Sequence, residues 1–371
     1  MNLKRFLEVQ KEGLAHSNGL AAYENRKQGR QAIYAYENVE RELPEEYAAR
    51  LAADPAALSF RQSARPSYRK VATPDVGNGR LLTHVMRRTL TFVRGQVVGH
   101  AGEVPAAEKI DVRRAADRFT TKVDWLDSKH SFSFGQHYDP DNVGHGLLLV
   151  NNDDVVRPGT GFDTHPHRDM EIVTWVLRGS LVHQDSTGHA GLIYPGLAQR
   201  MSAGTGILHS ERNDARGTPP GPPDEHPGWL SDEHAEHEDP VHFVQMWVVP
   251  DEPGITPGYE QLEIDDELMR GDLVAVASGM DKHADDAAIR IRNKYAALYA
   301  ARLAPGRTVS LPEAPYLHLF VAQGTVDLED AGALAEGDAV RFTSTGGQQV
   351  TATGEGAEIL VWEMHAALRA S

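Results

Sequence analysis

Two textures of apolar and polar positions divide the chain. Up to about residue 60 the apolar residues recur at helical spacing: Phe6, Val9 and Leu14 share one broad stripe. In LPEEYAARLAADPAALSF, Pro44 and two glutamates fill a first turn, with Leu51, Leu58 and Phe60 turned inward. The stretch TPDVGNGR, Thr73 to Arg80, breaks that pattern, and AGEVPAAEK, Ala101 to Lys109, reads as a linker. After Lys109 the texture becomes short runs rich in Val, Phe, Trp and Thr: SFSFGQHY, GLLLVNND, EIVTWVLRGSLVHQD, VHFVQMWVVP, YLHLFVAQGTVDL, AVRFTS, QQVTAT and EILVWEM. Gly, Asp and Pro separate them at close spacing, which predicts an all-β sandwich or barrel. IRIRNKYAALYAARL has a helix-like look, but its Tyr and Ile content, closed by Pro305-Gly306, fits a strand as well.

One segment stands apart from both textures. Asp214 to Asp239, DARGTPPGPPDEHPGWLSDEHAEHED, joins proline, glycine and acidic residues with almost no apolar partners, so it reads as an acidic loop between two strands. Its His226, His234 and His237 are read as part of that loop rather than as ligands.

Composition narrows the possibilities. A length of 371 residues suits two or three domains, and 40% hydrophobic with 24% charged residues suits a globular chain with a buried core. The absence of cysteine removes disulfides, thiolate metal sites and cysteine nucleophiles, so a metal would be held by nitrogen and oxygen. MNLKRFLEVQKEG lacks the apolar run of a signal peptide, and no stretch approaches the roughly 18 apolar residues of a membrane span, which makes the cytoplasm the expected location. The net charge of −16 is uneven: residues 1–100 carry 16 Lys/Arg against 10 Asp/Glu, the remainder 21 against 43. So acidic a surface argues against direct nucleic-acid binding, which depends on cations neutralising phosphates.

The candidate chemistry sits in THPHRDMEIVTW, Thr164 to Trp175, a strand-like run. Side chains alternate faces along a strand, so His165 and His167 project the same way, and so do His209 and Glu211 in GTGILHSERN, 44 residues on. Two strands each offering two donors can converge on one ion. Three imidazoles and a carboxylate suit Fe(II), Mn, Ni, Cu or Zn, with remaining positions open to water, substrate or dioxygen. Pro166 removes a ladder hydrogen bond and so belongs at a sheet edge or barrel mouth, while Gly204 and Gly206 permit a tight turn before His209. A lone HxH among 18 histidines is weak; the second pair and its glycine turn strengthen it. His183 and His189 in VHQDSTGH read as hairpin-turn residues, with a place near the mouth as the alternative. His242 and His318 read as core or surface residues.

GFDTHPHRDMEIVTWVLRG, VHQDSTGH and MSAGTGILHSERN, preceded by WLDSKHSFSFGQHYDP and VNNDDVVRPGTGF, resemble the pirin family of the cupin superfamily, in particular its bacterial quercetinase-like branch, over about residues 111–365. That resemblance implies a mainly β bicupin: two β-barrel (jelly-roll) cupin domains, with a short α-helical segment ahead of them. A metal-binding barrel is expected over 111–250 and a barrel without metal over 251–371. The family's ligands match His165, His167, His209 and Glu211; Glu171, where cupins in general carry a ligand, is expected to play a supporting or structural part. Residues 1 to about 88, through GLAHSNGLAAYENRKQGR, ELPEEYAARLAADPAALSF and PSYRK, resemble the C-terminal half of the bacteriocin-protection (YdeI/OmdA-like) family. Residues 1–100 are therefore read as a helical remnant of such a domain, either poorly ordered or docked on the barrels, with a linker over 101–110.

The resemblance also implies an activity, quercetin 2,3-dioxygenation. A flavonol would lose a proton to Glu211, acting as ligand and base, and react with O₂ to open the heterocycle and release carbon monoxide. Fe(II) stands first among the metals, and Trp175 and Trp247 are candidates for an apolar lining. The alternative is a non-catalytic, iron-dependent regulatory protein acting through protein contacts; a third reading keeps the barrel and changes the substrate.

Overall fold

The computed structural model describes residues 107–213 and 239–368. The expected N-terminal helices, the YdeI/OmdA-like stretch and nearly all of the Pro-rich acidic loop lie outside those residues. Among the described residues no helix is long and apolar enough to cross a membrane.

Strands dominate, as the short β-branched and aromatic runs predict. In order they are β1 (Lys109–Arg113), β2 (Phe119–Lys122), β3 (Leu126–His130), β4 (Leu148–Val156), β5 (Thr160–His167), β6 (Glu171–Arg178), β7 (Leu181–Asp185), β8 (Ala190–Ile193), β9 (Leu197–Ser202), β10 (Ile207–Asn213), β11 (Val241–Val248) and β12 (Gly258–Glu263). After the single-turn helix α1 (Asp265–Leu268) come β13 (Val274–Ser278), β14 (Ile289–Arg290), β15 (Ala296–Leu303), β16 (Thr308–Ser310), β17 (Glu313–Leu328), β18 (Gly332–Ala335), β19 (Ala339–Gly346) and β20 (Gln349–Met364). IRIRNKYAALYAARL is indeed strand, split between β14 and β15.

A four-stranded sheet, β5-β10-β7-β8, faces a seven-stranded one, β12-β9-β6-β11-β4-β3-β2, and together they form the first barrel. Its interior holds Phe162, Val176, Leu181, Ile193 and Phe243 at one end and Phe134, Ile172, Met201 and Trp247 at the other. The second unit is a nine-stranded sheet, β1-β19-β17-β20-β15-β13-β14 with β16 on β20 and β18 on β17, wrapped around Leu317, Leu319, Val321, Phe342 and Val361. The mainly β, two-barrel architecture expected from the resemblance is thus present.

Strand β6 shows how period 2 joins the units. Ile172 and Val176 enter the first barrel, whereas Val173, Trp175 and Leu177 enter a separate core shared with Leu298, Phe320, Leu360 and Trp362 of the second. Each large side chain buried there contributes about 1.5–3 kcal/mol. The Trp175 indole donates to Glu358 Oε1 at 2.7 Å, so its one polar atom is satisfied within the seam. Two strands also cross between the units: β1 pairs antiparallel with β19, and β12 pairs antiparallel with β9.

Several expected runs changed shape. SFSFGQHY is a loop rather than a strand: Phe134 and His137 form an isolated bridge, and the Ser133 hydroxyl both donates to Asp139 O and accepts from Asp139 N, at 2.8 Å each. Those local side-chain bonds give the backbone an alternative to a ladder. THPHRDMEIVTW is two strands, with Arg168–Met170 turning between β5 and β6 and Asp169 at φ 48°. QQVTAT and EILVWEM are one strand, β20.

Candidate metal centre

Three adjacent strands of the smaller sheet build the centre. β5 is the sheet's edge and pairs only with β10, so Pro166 withdraws its missing N–H from no ladder on the outer side. β10 lies between β5 and β7 and presents His209 opposite His165 on one side and opposite Asp185 on the other. A bulge between His209 and Glu211 shifts the register towards β5, so Glu211 stands opposite Phe162 there, while the regular pairing with β7 puts it opposite His183. At the bulge a Cβ on Gly161 would collide with Glu211 O, which explains the glycine. Gly204, at φ 46°, permits the turn before β10, where a Cβ would meet Ile255 O and Thr205 N donates to that same oxygen at 2.8 Å.

The three predicted histidines meet. The ring centroids of His165 and His209 lie 4.5 Å apart, those of His165 and His167 4.8 Å, and those of His167 and His209 4.9 Å. One nitrogen from each falls within 4.8 Å of the others. Glu211 does not join them as a fourth group within that distance; its carboxylate groups instead with His183 and His209. His209 is therefore shared by two triads. All five side chains are buried.

For His183 the pattern favours a turn role over a place near the mouth, and the structure puts it beside the cage instead. It lies on β7 with its side chain fully buried, its ring centroid 5.3 Å from that of His209. The Nε2 faces Asp185 Oδ2 at 3.5 Å, and Tyr259 of β12 stacks on the ring at 4.8 Å. The signal was available, because alternation in VHQD puts His183 and Asp185 on one strand face. His189 does serve the turn, with Asp185 and Thr187 as partners. His242 pairs with Asp153, and His318 lies in the core against Phe132. Glu171 points away from the cage: Ser202 Oγ donates to it at 2.8 Å and Arg292 N at 3.0 Å, tying β6 to the second unit.

Electrostatics favour neutral imidazoles. Burial lowers His165 to about 4 and takes His167 and His209 well below the ordinary value. Nδ1–H of His165 donates to Asp163 O at 2.7 Å, which leaves its Nε2 lone pair facing His209 Nε2 at 3.1 Å. Nε2 of His167 and Nδ1 of His183 and His209 are buried with no hydrogen-bond partner. The unsatisfied Nε2 of His167, beside the facing Nε2 atoms of His165 and His209, calls for an explanation, and a bound cation is one. Burial pushes Glu211 up, while His183, Gln245 and Thr174 partly offset it. Gln245 Nε2 donates to Glu211 Oε2 at 2.7 Å, Thr174 Oγ1 to Oε1 at 3.2 Å, and Trp247 Nε1 in turn to Gln245 Oε1 at 3.0 Å. The donor set and its second ring of partners fit a divalent transition metal.

Trp247 stands against the His167 ring at 4.8 Å, and Phe134 against Trp247 at 5.7 Å, giving the cage an aromatic wall. Trp175, the other expected lining residue, is in the seam between the units. Its parity excludes it: Thr174 takes the inward position.

Comparison with known proteins extends these findings. A family model described as Pirin matches residues 111–248, and one described as a quercetinase C-terminal cupin domain matches residues 276–364. A Mycobacterium tuberculosis protein named as a candidate quercetin 2,3-dioxygenase is 60% identical over 259 residues, 70% of this chain and 96% of the relative. The quercetin 2,3-dioxygenase of Escherichia coli K12 is 44% identical over 156 residues, 42% of this chain and 58% of the relative. Among solved structures, the bacterial pirin YhhW of Escherichia coli in complex with nickel(II) superposes with a TM-score of 0.56 at 31% identity, covering 69% of this chain and 99% of that one.

Proposed function

The chain belongs to the pirin family, and from that premise we propose that it is a metal-dependent quercetin 2,3-dioxygenase, an oxidoreductase that opens the flavonol heterocycle with O₂ and releases carbon monoxide. The observation that carries the reading is the convergence of His165, His167 and His209, neutral and buried, beside a carboxylate and an aromatic wall.

In this reading His165, His167, His209 and Glu211 hold one divalent metal, with Fe(II) first among the candidates. The nickel(II) complex of the related YhhW supports a divalent ion as the bound group. When bound, such an ion supplies Lewis-acid polarisation of the flavonol oxygens and a place for dioxygen chemistry.

The chain's own residues supply the rest. Trp247 and Phe134 offer flat apolar surface to an aromatic substrate. Glu211 takes the proton from the flavonol hydroxyl. Burial raises its affinity for that proton, which suits a general base. Gln245 and Thr174 hold the carboxylate in place, and Asp185 with Tyr259 fixes the His183 ring beside it. Exclusion of water from the buried cage keeps the deprotonated substrate from being reprotonated by solvent.

The test is anaerobic reconstitution with Fe(II), followed by quercetin and oxygen, reading flavonol absorbance and carbon monoxide together, beside His165→Ala. Turnover in the parent and its loss in the variant are expected. No turnover by well-loaded protein would contradict the dioxygenase reading, and turnover surviving the substitution would contradict the site assignment.

A further inference from the structure

A second concave feature lies at the seam between the two units, lined by residues that the proposed dioxygenation does not use. It is a cavity of about 420 Å³, within the range of small-molecule sites, formed where β9, β12, the segment after β11 and the segment around β14 meet. Its charged lining is Arg200, Arg290, Arg292 and Lys294 against Asp251 and Glu260. Four cations face two carboxylates, in a chain whose net charge is −16.

The two carboxylates are already engaged. Glu260 Oε2 accepts from Arg200 Nη2 at 2.9 Å and from Arg290 N at 3.1 Å, and Asp251 Oδ2 accepts from Lys294 N at 3.1 Å. Arg200 is more than nine-tenths buried; its Nε donates to Arg290 O and its Nη2 to Glu260 Oε2. The guanidinium groups of Arg290 and Arg292 and the ammonium of Lys294 form no ion pair with a carboxylate of the described residues; Arg290 donates to His283 O, and Lys294 lies over the Tyr295 ring. A buried arginine beside three cations that form no carboxylate ion pair among the described residues is an arrangement that doubly charged oxyanions satisfy, through charge-assisted hydrogen bonds.

We propose that the seam cavity lined by Arg200, Arg290, Arg292 and Lys294 binds a small molecule bearing a dianionic phosphate or a pair of carboxylates. Such a ligand would bridge strands of both units. The Arg292 backbone N–H that donates to Glu171 at the start of β6 lies on the same rim, so occupancy would also brace the seam next to the cage.

Calorimetric titration of the full, metal-loaded chain with inorganic phosphate, and separately with succinate, at low ionic strength tests this. Arg292 and Lys294 are exposed, so Arg292→Glu/Lys294→Glu should fold normally, and Arg292→Gln/Lys294→Gln checks the result without charge reversal. One-site saturation is expected with at least one probe, with affinity at least about tenfold weaker in both double variants and metal content unchanged. The stronger probe identifies phosphate or carboxylate as the recognised group. Saturation by neither probe, or equal affinity in the variants, would overturn the proposal.

Discussion

His209 stands directly opposite His165 across β10 and β5, with their Nε2 atoms 3.1 Å apart. His165 already commits its Nδ1 proton to Asp163 O, so its lone pair is aimed at the neighbouring ring. A cation between the two relieves that opposition. Saturating metal should therefore stabilise the fold by mass action, about 2.7 kcal/mol at a hundred times the dissociation constant. Thermal melts with and without metal should show the shift in the parent and none in His209→Ala.

Metal retention should also tolerate mild acid. Burial holds His165 at about 4 and His167 and His209 well below their ordinary value, so the imidazoles keep their lone pairs below the ordinary pKa of 6.5. Metal content after dialysis should be nearly level between about pH 8 and 5.5. A steep loss centred near pH 6.5 would mean that the ligands titrate as exposed histidines.

Gln245 holds Glu211 and is itself held by Trp247. Gln245→Leu should keep the barrel folded yet weaken metal affinity by about 10- to 100-fold, as loss of an outer partner does at other metal sites. Competition with a chelator measures this.

Much of the centre was legible in the sequence, because period 2 alone places His165 with His167 and His209 with Glu211, and Pro166 marks the sheet edge. What the sequence concealed were facts of cross-strand register. The regular pairing of β10 with β7 sets Glu211 opposite His183, so the carboxylate lies in a triad with a residue that local pattern assigns to a turn. Trp175 takes the seam because β6 is buried on both faces, which leaves no exposed position before Arg178 to reveal its inward side. The exchange of β1 and β12 between the units is likewise invisible to local patterning, since it depends on which distant edge is free.

At the turn before β10, Gly204→Ala would force a side chain into positive φ and against Ile255 O. A loss of about 2–4 kcal/mol is expected, read from denaturant melts, together with weaker metal binding because His209 follows this turn.

In the second unit, Glu363 accepts from Tyr299, Lys282 and His365. Burial pushes its carboxyl up, but these donors more than reverse the effect and hold it at about 2, against an ordinary 4.5. The stabilisation is complete above pH 4.5 and is lost as pH falls towards 2. Glu363→Gln should cost roughly 3 kcal/mol near neutral pH, with the gap to the parent closing in acid. Melts across that range measure it.

The most direct measurement of the central claim is X-ray absorption at the edge of the metal in reconstituted protein, with metal per chain determined in parallel. One ion per chain is predicted, with outer-shell scattering from three imidazoles and a nearer oxygen, and with both the occupancy and the imidazole signal reduced in His165→Ala. A chain that takes up no metal, or one whose bound metal shows no imidazole scattering, would contradict the account.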